Sequence, residues 1–296
     1  MRHLRSFIYL DAIARAGSIR RAANDLAITS TALNRRVLAL EAELGTPLFE
    51  RVARGVRLSP AGELALRYAR EQLSNAERLR AGLSELAGAR SGHIALACSH
   101  QSLFEQFLPE RIAVFREENP NFKFTVLSTE PDKIGAMLAD YSADLAIAFE
   151  ADQSVQIEPV FRLPQQLHAA VGRNHPLAAA PGEEVSLLDC LEYPWAVATR
   201  AFGVRRTLDA GASRLGREPN IALEAENYEL LQETAARDSQ LVSFLIPVGS
   251  VGRQELVTRP LGEGVPLGVL QIGHLRDRAL PQGVLDFAND LARYLA

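Results

Sequence analysis

Three patterns in this 296-residue sequence predict an α/β protein with a small helical head. Residues 18–58 read as two short helices about a tight turn, followed by an arginine-dense hairpin. Residues 66–86 carry an apolar seam at three- and four-residue steps, the mark of one long helix. From His93 onward, short apolar runs alternate with amphipathic stretches, as in βαβ units that build a largely parallel sheet covered by helices.

In the head, Leu4, Phe7, Ile8 and Ala14 share one face of a first helix that stops near Gly17. Ser18 is placed to cap a second helix whose Ala22, Ala23 and Leu26 face inward, the paired alanines allowing close helix approach. Thr29 is placed to cap a third helix, in which Leu33, Val37, Leu40 and Leu44 recur and Gly45 supplies the stop. At 1.5 Å per residue this third helix spans roughly 22 Å, long enough to lie in a groove of DNA. A short helix, a turn and a longer helix with a polar leading face form a helix-turn-helix, whose second helix fits the major groove.

The outward residues carry the functional expectation. Ser18, Arg20 and Arg21 open the second helix, and Thr29, Ser30, Thr31, Asn34, Arg35 and Arg36 fill the first turn and a half of the third. Hydroxyls and amides bond phosphate oxygens or base edges, Asn pairs bidentately with adenine, and Arg reads guanine or neutralises phosphate. Arg51, Arg54 and Arg57 bracket Gly55, which suits a hairpin tip that needs positive φ. Such a wing rests against backbone or minor groove. Each arginine alone reads as a solvated surface residue; the ensemble points to double-stranded DNA. Charge agrees with this: residues 1–90 carry 15 Lys+Arg against 9 Asp+Glu, and the remainder 17 against 27, a basic head on an acidic body.

Cys98 and Cys190 form no disulfide framework or metal spacing and read as buried thiols in a reducing compartment. No run approaches the ~20 apolar residues of a membrane span. Asp11, Asn24 and Asp25 make the first thirty residues unlike a secretory signal. A soluble cytoplasmic protein is expected.

The stretch from Leu4 to about Tyr68 resembles the winged helix-turn-helix of LysR-type transcriptional regulators. The matching residues are Gly17-Ser18, Arg21-Ala22-Ala23, Leu26, Ala32-Leu33, Arg35, Leu40-Glu41, Leu44-Gly45, Leu48-Phe49-Glu50-Arg51 and Leu58-Ser59-Pro60-Ala61-Gly62. Where that family usually has Ser-Gln-Pro this chain has Thr29-Ser30-Thr31, and Asn34 stands in place of Ser. These departures fall on base-facing positions, so they bear on the operator sequence rather than on the activity.

Ser59 as cap and Pro60 at the first helical position begin the long helix. Leu66, Ala69, Leu73, Ala76, Leu79, Leu83 and Leu86 form its seam, flanked by Arg67, Arg70, Glu71, Glu77, Arg78 and Glu85 as in a coiled coil. The same spacing would serve a helix packed on its own domain. Two-fold pairing is favoured because a small head reads two half-sites only as a dimer. The resemblance likewise implies a dimer contact here. The break Ala87-Gly-Ala-Arg-Ser-Gly92 marks a boundary. The expected domains are thus residues 1–62 (DNA-binding), 63–90 (linker helix) and 91–296 (effector domain).

In the body, strands are expected at His93–Cys98, Phe122–Ser128 and Asp144–Phe149, with helices near Ser102–Glu118 and Asp132–Tyr141. A second series runs through Trp195–Thr199, a helix at 202–216, a strand at 221–225, a helix at 227–237 and a strand at 241–245. Leu267–His274 and Pro281–Tyr294 supply a last strand and helix. Two such βα subdomains, about 91–162 with 268–296 and about 163–267, resemble the periplasmic-binding-protein-like effector domains of the same family. The expected fold class is therefore α/β, with an N-terminal winged helix-turn-helix, a long linker helix and a two-lobed effector domain.

Ligands of such sheets bind beyond the carboxyl ends of strands, near helix N-termini. Ser99, His100, Gln101 and Ser102 follow the first strand and offer donors for an anion-sized group. Thr199, Arg200 and Phe202 follow a strand of the second series, where Arg200 would meet a carboxylate and Phe202 form an apolar wall. By the resemblance, these residues with Phe149, Glu150 and Ile246 line the cleft. Ser99 and Ser102 also suit simple helix capping. The family's glycine-rich run before a Leu-Pro pair is replaced here by Arg237-Asp-Ser-Gln-Leu-Val-Ser-Phe-Leu-Ile-Pro247, and Gln240 and Val242 would narrow the cleft.

Enzyme chemistry finds little support. Gly249-Ser-Val-Gly252 has the wrong spacing for a nucleophile elbow. Gly262-Glu-Gly264 lacks the rest of a dinucleotide fingerprint, and His168 and His175 stand seven apart with no completing ligand. No catalysis, cofactor or metal is expected. The expected partners are operator DNA, an unnamed small-molecule effector, further copies of the chain as homodimer or homotetramer, and RNA polymerase if the response is activation. An architectural DNA-binding protein, whose acidic body only oligomerises, is the alternative from another class.

Overall fold

A computed structural model describes residues 2–53, 55–86, 90–99, 101–149, 157–247, 255–262 and 264–296; for residues 2, 3, 85 and 101–106 it describes the backbone alone. By its contacts the chain divides into two units, Met1–Ala89 with Ala139–Ser142, and Arg90–Leu138 with Ala143–Ala296.

The first unit begins with α1 (Arg2–Ala16), α2 (Ile19–Asp25) and α3 (Ser30–Leu44). On α1 the buried face is built by Leu10 and Ile13 with Phe7 and Ala14 beside them, whereas Ile8 is 41% exposed. The buried face is thus rotated from the expected one: positions 7, 10 and 13–14 follow the helical repeat, and Ile8 lies one step off it. The alanine pair Ala22-Ala23 is fully buried against Ile13, Leu33 and Val37, as close approach of α2 requires.

The local stops and starts follow the sequence. Ser18 accepts from the backbone N–H of Arg21 and Thr29 from that of Ala32 (3.2 Å), each satisfying a free donor of a first helical turn. Gly45 ends α3 in the left-handed region at φ 69°. Between α2 and α3 the chain turns through a Schellman arrangement: Ile28 N–H donates to the Ala23 carbonyl and Ala27 N–H to that of Asn24, both at 3.0 Å. The left-handed position, usually glycine, is here Ala27 at φ 52°.

Strands β1 (Phe49–Val52) and β2 (Gly55–Leu58) pair antiparallel, with Val52 opposite Gly55. Gly55 has φ 122°, and a Cβ on it would lie 2.2 Å from the Gly17 carbonyl oxygen, which accepts from Val56 N–H at 3.0 Å. This glycine lets the hairpin dock on the α1–α2 turn. Helix α4 (Pro60–Leu86) starts from a buried Ser59 whose hydroxyl donates to the Pro47 carbonyl and accepts from Gly62 N–H. Its Leu66 and Ala69 are buried against Leu10, Leu40 and Leu48, and Arg70 reaches the Asp11 carboxylate at 2.7 Å. Farther along, Leu79, Leu83 and Leu86 are 54%, 57% and 86% exposed. The apolar seam thus divides, its first turns packing on the head and its last lying open.

The second unit contains β3 (Ser91–Cys98), α5 (Gln101–Glu118), β4 (Asn121–Ser128), α6 (Pro131–Ala139), β5 (Leu145–Phe149) and β6 (Ile157–Gln165). It continues through β7 (His168–Gly172), α7 (Leu187–Cys190), β8 (Trp195–Val197), α8 (Gly203–Arg214), β9 (Ile221–Glu224) and α9 (Tyr228–Arg237). The last elements are β10 (Val242–Leu245), β11 (Leu256–Pro260), β12 (Gly268–Leu275) and α10 (Gln282–Leu295). One sheet has the order β4-β3-β5-β12-β6 and the other β9-β8-β10-β7-β11. In both, the first three strands run parallel, and the remaining two attach antiparallel.

The largely parallel sheet expected from the βα alternation is therefore corrected to two mixed sheets of one plan. The chain passes from β6 to β7 and returns from β11 to β12, so each sheet gains one strand, β12 or β7, that runs against its βαβ units, and an edge strand, β6 or β11, that pairs antiparallel with it. A large apolar core draws on both sheets, with Phe115 edge-on to Phe122, Phe124 and Phe287, and Trp195 packed on Phe244 while its indole N–H donates to the Cys190 carbonyl.

The backbone at Ala27 can be tested by substitution. A left-handed alanine carries a steric cost of roughly 1–2 kcal/mol that glycine avoids, offset by about 0.5–1 kcal/mol of extra chain entropy. Ala27→Gly should leave the head equally or slightly more stable, by up to about 1 kcal/mol, and Ala27→Val should destabilise it by more than about 1 kcal/mol. Urea unfolding of the three proteins gives the order; a valine variant as stable as the parent would contradict this turn geometry.

Candidate functional site

The surface of the first unit that α3 presents is polar by construction. Leu33, Val37 and Leu40 are buried on one side of the helix, which obliges the intervening residues to face outward. Ser30, Thr31, Arg35 and Arg36 are exposed and Asn34 is half-buried; Thr29 is exposed while its side chain caps the helix. Arg20 and Arg21 are exposed at the start of α2, and Ser18 is half-buried with its hydroxyl engaged as the cap. Every permanently cationic side chain of residues 1–90 is arginine, a planar fork that stays charged at any physiological pH.

On the wing, Arg51 is exposed and Arg54 lies outside the described residues. Arg57 is exposed too, but its guanidinium sits 2.6 Å from the Glu50 carboxylate directly across the hairpin. That hydrogen bond, with the charge of Glu50 second, raises the Arg57 pKa. Any anion approaching Arg57 would compete with Glu50 for its guanidinium. Sequence patterning does not single out Glu41, which accepts from the backbone N–H groups of Leu48 (2.7 Å) and Phe49 (3.2 Å). This carboxylate ties the end of α3 to the beginning of the wing. Its donors lie seven and eight residues away across a turn, so no local pattern advertises the role.

The residues expected around an effector are placed unevenly. Ser99 follows β3, is 2% exposed and donates its N–H to the Ile147 carbonyl; its hydroxyl has no hydrogen-bond partner among the described residues. Gln101 and Ser102 begin α5, while their side chains, together with His100 and Glu150, lie outside the described residues. Phe149 is buried, and a Cβ on Gly268 would strike its ring at 1.8 Å, so that glycine makes room for it. Thr199 is half-buried and its carbonyl accepts from Phe202 N–H.

Two expectations of this group meet different surroundings. Phe202 is buried edge-on to Tyr228 within a small cluster of the second lobe, where it packs the core. Arg200 is 80% exposed, with its Nε 3.4 Å from the Asp209 carboxylate, which Arg205 engages more closely at 2.8 Å. Ile246 is fully buried in the main core, as is Val242 at the expected narrowing, and Gln240 is exposed. Gly264 is left-handed at φ 105°, as a turn requires, and residues 249–252 lie outside the described part. His175 caps a short turn through Nδ1, and burial lowers the pKa of both His168 and His175. Among the described residues no group of three or more His, Cys, Asp or Glu could hold a metal ion, and no helix is long and apolar enough to cross a membrane.

Residues 4–63 match the model of the bacterial regulatory helix-turn-helix proteins of the lysR family, and residues 87–296 match the LysR substrate binding domain. The chain belongs to the LysR family. It is a DNA-binding transcriptional regulator with an effector-binding domain. The HTH-type transcriptional regulator CysB of Burkholderia cenocepacia is 28% identical over 226 residues, 75% of this chain and 71% of that one. A full-length OxyR variant from Pseudomonas aeruginosa superposes with a TM-score of 0.72 at 20% identity, covering 98% of this chain and 97% of the other. Full-length CbnR complexed with its target DNA gives 0.66 at 21% identity, covering 98% and 99%.

The two thiols of this regulator have their own chemistry. Cys98 lies in β3 and Cys190 at the end of α7, both fully buried, and burial pushes each pKa up to about 12. A thiol needs its thiolate to react, and burial keeps both of these protonated at pH 7. Both should resist a disulfide reagent or hydrogen peroxide in the native protein and titrate only on unfolding in guanidinium. Rapid stoichiometric labelling of the folded chain would contradict this burial.

Proposed function

We propose that the regulator reads its operator as a dimer through the exposed face of α3, with Thr29, Ser30, Thr31, Asn34, Arg35 and Arg36 toward bases and phosphates. Ser18, Arg20 and Arg21 anchor the preceding backbone, and Arg51, Arg54 and Arg57 hold the wing on flanking phosphate. The observation that carries this reading is the division of α3 into a buried Leu33-Val37-Leu40 side and an exposed hydroxyl-and-arginine side. The target DNA in the CbnR complex supports it by likeness of fold. In this reading residues 1–62 bind DNA, 63–90 link and dimerise, and 91–296 receive a small molecule at the segments after β3, β5 and β8.

The mechanism is linkage. An effector that binds one arrangement of the subunits better than another shifts the spacing of the DNA-binding heads, by no more than its differential affinity. The protein works in the cytoplasm and performs no catalysis, and the assembled form is a homodimer or homotetramer. Where the response is activation, RNA polymerase is a further partner.

Two sets of variants test the assignment by fluorescence anisotropy on a selected operator, across a salt series. Arg35→Ala should cost about 1–3 kcal/mol and relax preference at one base pair. Arg51→Ala should weaken all sequences alike and flatten the salt slope by about one unit. Identical losses with an unchanged slope for both would sink the division of roles. Separately, Leu79→Glu with Leu83→Glu places charge on the open end of the α4 seam. The pair should shift the protein toward monomer in sedimentation and abolish tight operator binding; a dimeric, tight-binding double variant would remove the linker from the interface.

A further inference from the structure

The chain passes from α3 to the wing through Gly45, Thr46, Pro47, Leu48 and Phe49, and the backbone donors of this connection all go to one residue. The N–H groups of Gly45 and Thr46 donate to the Glu41 backbone carbonyl. Those of Leu48 and Phe49 both donate to Oε1 of the Glu41 carboxylate. Pro47 has no N–H to give. The acceptors are held from the other side. Ser59, buried at the start of α4, donates its hydroxyl to the Pro47 carbonyl at 2.8 Å and its N–H to the Leu48 carbonyl at 2.9 Å. Gly62 leaves room for this, since a Cβ there would lie 2.0 Å from the Leu48 carbonyl oxygen.

The other restraints on the wing are of a different kind. Phe49 and Leu58 pack against the buried cluster of Leu10, Leu40 and Leu48, and Val56 N–H donates to the Gly17 carbonyl. Apolar packing is non-directional and tolerates tilt, whereas two hydrogen bonds to one carboxylate oxygen are directional. With the Val56 bond as a second fixed point, the Glu41 carboxylate removes rotation of the hairpin about its own attachment. Phe49 begins β1, and the exposed Arg51 stands two residues along it. A duplex presents phosphates at set distances from its base edges, and phosphate contacts fix a protein's register on it.

We propose that Glu41 is a positioning residue for operator binding. Without touching DNA, it holds the root of the wing against the end of α3, so that Arg51 meets a phosphate while the α3 face meets bases. The inference rests on the reading of α3 and the wing given above. The charge of Glu41 alone opposes a polyanion, so its contribution to binding comes from reach and hydrogen bonding.

Three substitutions separate reach from charge. Glu41→Gln keeps an acceptor oxygen at the same reach and loses the charge; Glu41→Asp keeps the charge and is one methylene short; Glu41→Ala loses both. The full chain is titrated onto a selected operator by fluorescence anisotropy across a salt series, at a temperature where the circular dichroism of each variant matches the parent. Glu41→Gln should bind within about twofold of the parent with the same salt slope. Glu41→Asp and Glu41→Ala should bind roughly fivefold more weakly or worse and flatten the slope by about one unit, the share of one phosphate contact, with the base preference of Arg35 retained. In the Glu41→Ala background Arg51→Ala should cost little more, because its phosphate contact is already lost. If Glu41→Ala fails to fold, the Gln and Asp variants decide the question. Equal effects of Glu41→Gln and Glu41→Asp, or an undiminished Arg51→Ala loss in the Glu41→Ala background, would overturn the positioning role. An Arg51→Ala variant of the parent that binds with unchanged affinity and slope would remove the wing reading itself, and the role of Glu41 with it.

Discussion

Helix α3 satisfies opposite demands on its two sides, and the head is organised around that. Its inner side must be apolar enough to hold the unit together, so Leu33 and Val37 join the cluster of α1 and α2, while Leu40 joins the one that includes α4. Its outer side must remain solvated and available. Both ends are pinned, by the Thr29 cap at one and by Glu41 at the other. A rigid helix with a free polar face results, and the wing is placed relative to it by the contact of Gly55 with the Gly17 carbonyl.

Much of this is legible in the sequence because it is local. Caps at Ser18 and Thr29, the stop at Gly45 and the inward alanines each depend on residues within a turn or two. The face of α1 departs from expectation at Ile8, because a window of apolar residues fixes a helix's period better than its phase. Strands β6, β7 and β11 escape sequence patterning for a different reason. β6 contains Pro159 and Pro164, and β11 ends in Pro260, residues that argue against a strand. Both strands lie at sheet edges, where a missing N–H need not break a ladder. Their partners are distant in sequence, so nothing nearby announces the pairing. In the candidate sites, exposure of the arginines follows from patterning, but the rival of Arg57 and the acid beside Arg200 require the fold.

The likeness to the OxyR structure is one of fold. The fold is shared across nearly the full length at 20% identity, and in this chain both cysteines are enclosed by the cores of the sheets. A shared fold does not by itself fix what a site binds, which depends on the particular side chains placed on it.

The placement of β12 has a consequence for how the protein is made. This strand stands between β5 and β6, and β6 has no other neighbour in its sheet. The first lobe therefore stays open along one side until residues 268–275 have left the ribosome, long after β3, α5, β4, α6 and β5 have emerged. The second lobe, whose strands all come from residues 168–260, can close its own sheet before then. The lobe begun first is finished last, and until then the apolar strand β5 is an unpaired sheet edge.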